Sequence, residues 1–386
     1  MTTSSERIAA RGQVPPFYAM RVLDAALARR AAGLPAYLLN AGQPGTPAPS
    51  PVLAAAKRII DGDRIGYTSA RGIPELRDAI AAHYGRTYGL DVSREDVAAT
   101  TGSSGGFLLA FLAAFDPGDV VVLARPGYPA YRNVLTALGC QVRELPCGPA
   151  TRFQPTVEML DSLDVRPAGL VVASPANPTG TMVTPEEMAG LVAWCDANGV
   201  RLVSDEIYHG ITFAGEASCA WQSSRRSIVV NSFSKYYSMT GWRLGWLLVP
   251  PELGDSVDRL ASNFALCPPT LSQYAAVAAF DAHDELDANV DHYRANREFL
   301  LARLAEMGID RFAPPDGAFY VYADVSRWTS DSLTWAARLL DETGVAVAPG
   351  LDFDPVDGGR YIRICFAGDR GELSQAMDAL AAWLPR

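Results

Sequence analysis

Lys235 is one of only two lysines among 386 residues in which basic charge is otherwise carried by arginine. A lysine amine forms Schiff bases and acts as a nucleophile, chemistry that a guanidinium does not offer. The residue lies in Ser232-Phe-Ser-Lys235-Tyr-Tyr-Ser-Met-Thr-Gly241-Trp-Arg243-Leu-Gly245, between the apolar runs Ser227-Ile-Val-Val-Asn231 and Leu244-Gly-Trp-Leu-Leu-Val249. Most lysines are solvated surface residues, but two flanking runs of buried-strand type argue against that use here. Ser232 and Arg243 supply a hydroxyl and a guanidinium beside the amine, groups suited to an anion.

Four other stretches carry chemistry. Gly102-Ser-Ser-Gly-Gly106 opens an apolar helix, where free N–H groups and the helix dipole favour a phosphate. Its spacing is neither G-x-G-x-x-G nor G-x-x-x-x-G-K, which removes support from dinucleotide and P-loop readings. Asn177-Pro-Thr-Gly180 and Asp205-Glu206 are, taken singly, a turn and a helix cap. Arg363 stands mid-strand in Tyr361-Ile-Arg363-Ile, where an unpaired charge is costly, so it must meet a carboxylate or phosphate of protein or ligand.

The elements that position these residues read as an α/β fold. From about 95 to 250, short apolar runs alternate with helical patterns, which predicts βα units and a mainly parallel sheet. Strands are expected at 97–101, 120–124, 170–173, 201–204 and 228–231. Gly102, Tyr128, Asn177, Asp205 and Lys235 each follow such a strand. Ligands bind at the carboxyl ends of strands in open α/β sheets, so the five converge on one rim. From about 290 onward, helices and shorter strands (317–322, 344–348, 360–366) predict a second, α+β domain.

A net charge of −10 disfavours nucleic acid or an anionic membrane as partner. The first residues contain no apolar signal segment, and no apolar run is long enough to span a bilayer. Six scattered cysteines without a C-x-x-C pair predict reduced thiols and a cytoplasmic protein. The four histidines have no metal-ligand spacing, and no metal is expected.

Taken in order, Asn177-Pro-Thr-Gly180, Asp205-Glu-Ile-Tyr208, Ser232-x-x-Lys235 with Gly241-x-Arg243-x-Gly245, and Arg363 resemble the class I/II, fold-type I pyridoxal-phosphate aminotransferases, and within them the aspartate aminotransferase-like group. The likeness runs from Gly42-Gln-Pro44 through Gly66-Tyr67 to Pro349-Gly350 and Arg363. It implies a mainly parallel seven-stranded sheet flanked by helices in a large domain (51–290), with residues 1–50 joining a small α+β domain (291–386). It implies pyridoxal 5′-phosphate bound to Lys235 as a Schiff base, with Lys235 also shuttling a proton. Asp205 would pair with the ring nitrogen, Asn177 and Tyr208 with the phenolic oxygen, and Tyr128 would stack on the ring. Gly102, Ser103, Ser104, Ser232 and Arg243 would hold the phosphate, joined by Tyr67 from the other subunit of a homodimer. Arg363 would clamp the substrate carboxylate, assisted by the Gly42 backbone. Asp354 stands where the group more often has glycine, which predicts a differently shaped loop before Arg363.

For the substrate side chain, dicarboxylate specialists of the group carry a lysine at the position of Ser104 or an arginine ahead of Asn263-Phe-Ala-Leu-Cys267. Neither cation is present, and Phe17 and Tyr18 are expected to line the pocket instead. A neutral, aliphatic amino acid with pyruvate or 2-oxoglutarate is the resulting expectation, since a charged side chain would lack a partner. The alternatives are an aspartate/2-oxoglutarate enzyme in which Arg71 swings in, and a lyase on the same scaffold.

Overall fold

A computed structural model describes residues 8–62 and 65–385; the opening segment 1–7, with its lack of an apolar signal, lies outside them. After a short strand β1 (Tyr37–Leu38), the chain builds β2 (Val97–Thr100), β3 (Val120–Arg125), β4 (Gln141–Pro146), β5 (Gly169–Ala173), β6 (Arg201–Asp205), β7 (Ile228–Ser232) and β8 (Gly245–Leu248). These last seven form one sheet in the order β2-β8-β7-β6-β5-β3-β4. All its pairings are parallel except those of β8, which runs antiparallel to β2 and β7.

Both faces of this sheet are covered, and the strand period of two divides its side chains between two cores. Leu170, Val172, Leu202, Val229 and Leu248 enter one. Val171, Val203, Val230 and Leu247, their immediate neighbours, enter the other. Strand β4 was not expected from the sequence. It is an edge strand, and only Leu145 of Gln-Val-Arg-Glu-Leu-Pro is buried, so it lacks the apolar run that marks its neighbours.

The second layer contains β9 (Tyr320–Asp324), β10 (Val345–Ala346), β11 (Ala348–Pro349) and β12 (Tyr361–Cys365). Strand β12 lies antiparallel between β11 and β9, and β1 pairs in parallel with β10. The strand expected over 317–322 begins only at Tyr320, because Ala318 takes a left-handed φ of 56°. The one expected over 344–348 divides into two that serve different sheets. Helix His283–Glu306 runs unbroken through the 290/291 boundary expected from the sequence. It passes from one core to the other along its length: Leu286 packs under the large sheet, and Val290, Tyr293, Leu300 and Leu304 pack in the second layer.

Candidate active site

The carboxyl ends of β2, β3, β5, β6 and β7 do share one rim, where a cavity of approximately 540 Å³ opens. Lys235 reaches it from the turn after β7. Its Nζ donates to the Gly42 carbonyl at 2.6 Å. Burial is the main reason its amine is pushed down to about 8; the Arg363 and Arg243 charges add to this, and Cys365 and Asp205 oppose it. An amine so placed is a competent nucleophile and base near neutral pH.

Asp205 ends β6 and is 2% exposed. One carboxylate oxygen accepts the Ile207 N–H at 3.1 Å and the other accepts the Tyr131 hydroxyl. Burial raises its pKa to about 6, against these hydrogen bonds and the Lys235 charge. Glu206 does not cap a helix. It lies wholly buried, accepting from the Ser204 hydroxyl and the Ala220 N–H through one oxygen. Its other oxygen sits 3.6 Å from His209 Nδ1 without a hydrogen-bond partner. Burial pushes its carboxyl up to about 7.

Arg363 is held from three sides. Its Nη1 donates to Asn177 Oδ1 at 2.7 Å and its Nη2 to the Asn40 carbonyl at 2.6 Å. Tyr320 and Phe353 face the guanidinium with ring centroids at 4.4 and 4.8 Å. Its Nε is buried without a partner. The loop before it is shaped by Asp354, which pairs with Arg125 at 3.3 Å and accepts the Val356 and Asp357 N–H groups at 2.9 Å.

Helix Gly102–Ala114, whose Ser103 and Ser104 also line the cavity, begins without a side-chain cap. Its first turn therefore presents free N–H groups beside Ser103 and Ser104. Arg243 lies against this turn, with Nη1 donating to the Thr240 carbonyl at 3.1 Å.

Phe17, Gly42, Ser103, Ser104, Tyr128, Asn177, Asp205, Tyr208, Lys235, Arg243 and Arg363 all line the cavity, whereas Gly102, Ser232, Tyr18 and Tyr67 do not. Gly102 lies just behind the wall, making room for Arg243. The Ser232 hydroxyl is buried in the turn to Lys235, accepting the Ser234 N–H at 3.1 Å and donating to the Leu244 carbonyl at 3.3 Å. Ser234 lines the cavity in its place. Tyr18 falls on the wrong face of helix Tyr18–Ala31. It shares a separate depression with Val22, Ala25 and Arg29, while Met20 and Leu23 join Phe17 at the cavity. Tyr67 is 84% exposed on the surface of the single chain.

Residues 36–380 match the aminotransferase class I and II family. The chain belongs to the class I and II aminotransferases. Valine–pyruvate aminotransferase of Mycobacterium tuberculosis is 58% identical over 385 residues, 99% of each chain. A crystal structure of an aminotransferase from Mycobacterium tuberculosis, also 58% identical, superposes with a TM-score of 0.97 over 99% of this chain and 100% of that one. The aspartate aminotransferase of Thermotoga maritima is 33% identical over 350 residues, 90% of each chain.

Members of this family use pyridoxal phosphate, and the aminotransferase's own donor set fits that group. An uncapped helix start beside a guanidinium suits a dianionic phosphate, a buried carboxylate suits a protonated ring nitrogen, and a neutral-capable amine suits a carbonyl. The unpartnered Nε of Arg363 leaves donor capacity for a substrate carboxylate. Sequence reading missed Asn40, Tyr131, Tyr320, Ser234, Met20, Leu23 and Val134. Tyr131 carried a signal, standing three residues after Tyr128 on the helix face that turns toward the rim.

Proposed function

We propose that this aminotransferase moves the amino group of a neutral, aliphatic L-amino acid of the valine type to pyruvate. The carrying observation is the lining of the cavity. Apart from Lys235, Arg243 and Arg363, no lysine or arginine among the described residues lines it, while Phe17, Met20, Leu23, Ala130 and Val134 do. A second carboxylate would be desolvated there without a partner. Arg71 offers no remedy, being tied to Asp258 at 3.2 Å and to the Glu95 carbonyl at 2.8 Å. The 58% identity to a valine–pyruvate aminotransferase supports the same reading.

In this reading Lys235, Asp205, Asn177, Tyr208, Tyr128, Ser103, Ser104 and Arg243 hold pyridoxal phosphate, which supplies an electrophilic carbon and an electron-accepting ring. Arg363 holds the substrate carboxylate, and the Tyr320 and Phe353 rings that face its guanidinium steady that grip. Lys235 would take the proton from the α-carbon of the amino donor and deliver it to the electrophilic carbon that the cofactor supplies, and would move a proton the opposite way onto the α-carbon derived from pyruvate. Asp205 keeps a counter-charge for a protonated ring nitrogen. Exposed Tyr67 serves the cavity of a second copy in a homodimer. Six unpaired cysteines, five of them buried, suit a reducing cytoplasm, and among the described residues no helix is long and apolar enough to cross a membrane.

A half-reaction screen tests the proposal. The holoenzyme is mixed with each amino acid, without a 2-oxo acid, and the loss of its visible cofactor absorbance is timed. Valine and similar donors should react fastest. Faster reaction with aspartate would overturn the substrate assignment, and ammonia release in place of the absorbance change would point to a lyase.

A further inference from the structure

Tyr320 has no role in the scheme above, yet it touches three of its parts. It is the first residue of β9, is 1% exposed, and lines the cavity. Its ring lies 4.4 Å from the Arg363 guanidinium. Its hydroxyl is 2.6 Å from that of Tyr208, with the two rings 5.6 Å apart and nearly perpendicular. The same hydroxyl fills the space that a side chain at Gly42 would need, and the Gly42 carbonyl holds the Lys235 amine.

The hydroxyl pair has a direction. A phenol has one proton to donate. If Tyr208 spends its own on the cofactor's phenolic oxygen, the 2.6 Å bond must run from Tyr320 to Tyr208. Accepting a hydrogen bond makes Tyr208 a stronger donor, because such bonds polarise one another in series. Donating makes the Tyr320 ring more electron-rich, which strengthens its attraction for the Arg363 cation. We propose that Tyr320 is a positioning residue that couples the carboxylate grip of Arg363 to the hydrogen bond Tyr208 gives the cofactor. This rests on the assignment of Tyr208 and Arg363 in the proposed function. The coupling is reciprocal: a carboxylate that neutralises Arg363 weakens the guanidinium's hold on the ring and alters the donor strength of Tyr208.

Two quantities test it on the holoenzyme: the pH midpoint of the visible cofactor absorbance, and the Kd of 3-methylbutanoate, which is valine without its amino group. In the wild type, saturating 3-methylbutanoate should move the midpoint. Tyr320→Phe keeps the ring and removes the hydroxyl, so it should raise the midpoint by roughly half a pH unit while changing Kd less than about twofold. The ligand-induced movement should shrink, leaving the part that the Arg363 charge exerts directly on the Lys235 amine. Tyr320→Leu, which removes the ring, should weaken 3-methylbutanoate roughly tenfold. If Tyr320→Phe refolds poorly, Tyr208→Phe serves instead: it breaks the same hydroxyl pair, so it too should raise the midpoint and shrink the movement caused by 3-methylbutanoate, and an unchanged movement would refute the coupling.

A wild-type protein that takes up no pyridoxal phosphate or ignores 3-methylbutanoate would refute the proposed function itself. A wild type that behaves as stated, with Tyr320→Phe indistinguishable from it, would refute the coupling alone.

Discussion

Gly102 and Arg243 share one space: the Arg243 Nη2 lies 2.6 Å from where a side chain on Gly102 would begin. Gly102 also has a φ of 67°, a left-handed value that glycine adopts at little cost. The guanidinium can therefore lie flat against the start of the helix, where the phosphate is proposed to bind. Gly102→Ala should push it away and weaken pyridoxal phosphate at least about tenfold, the loss of one charge-assisted contact. Equilibrium titration of apoprotein with the cofactor measures this, and unchanged affinity would remove Arg243 from the phosphate site.

The depressed amine of Lys235 can be read without any cofactor. In apoprotein, acylation of Lys235 by an amine-directed reagent should rise with pH around a midpoint of about 8. Lys57, the other lysine, provides an internal reference. Peptide mass spectrometry separates the two, and a midpoint for Lys235 above 10 would contradict its burial. Lys235→Ala should abolish both turnover and the visible absorbance of the lysine-linked cofactor.

Arg363→Ala should cost about 2–5 kcal/mol of carboxylate binding, as expected when one side of a desolvated charge pair is removed. Arg363→Lys should recover little of it. An ammonium lacks the planar fork that meets Asn177 and Asn40 while lying between Tyr320 and Phe353. The dissociation constant of 3-methylbutanoate is the measurement, and near wild-type binding in either variant would displace Arg363 from its role.

Val134 lines the cavity, as do the apolar Met20 and Leu23. Val134→Phe should reduce kcat/KM for valine about 10–200-fold, the range a hydrophobic pocket gives for small changes in volume. Alanine, with a smaller side chain, should lose much less. Equal losses for both donors would mean that this wall does not read the side chain.

Glu206 makes stability depend on pH. Its folded-state pKa, raised from 4.5 to about 7, means that the folded protein favours the protonated form. That stabilisation is fully present below about pH 4.5 and is lost as the pH rises through 7, a change of about 3 kcal/mol. Asp205, raised to about 6, acts in the same direction. Glu206→Gln keeps an acceptor for Ser204 and Ala220 without the charge. His209 and His83, pushed down by burial to about 3 and about 4, act in the opposite direction up to about pH 6.5 in both proteins. Urea unfolding of the apoproteins should therefore show the wild type losing stability relative to Glu206→Gln between pH 5 and 8. Parallel profiles would show that Glu206 is not the group responsible.

Local chemistry was legible from residue types. The strand-end positions of Gly102, Tyr128, Asn177, Asp205 and Lys235 placed them on one rim because chain direction and strand alternation are properties of short stretches. Arg363 stood out because a charge inside an apolar strand needs partners; those the structure gives it are the Asn177 amide oxygen and the Asn40 carbonyl rather than a carboxylate or phosphate. Tyr18 was misplaced because the start of its helix fixes which face each residue takes, and Phe17-Tyr-Ala-Met does not reveal that phase. The structure places the Ser232 hydroxyl inside the turn, 3.1 Å from the Ser234 N–H and 3.3 Å from the Leu244 carbonyl, a position its spacing from Lys235 does not report.

The sequence thus determined the α/β fold, the amine, the glycine- and serine-rich helix start and the family. The tertiary structure alone decided that Tyr131 holds Asp205 and that Tyr320 joins Tyr208 to Arg363. Tyr131 and Asp205 lie 74 residues apart along the chain and Tyr208 and Tyr320 112, while Tyr320 and Arg363 stand on separate paired strands. No covalent spacing or local periodicity reports such a distance. It is set by how two layers of side chains pack against each other.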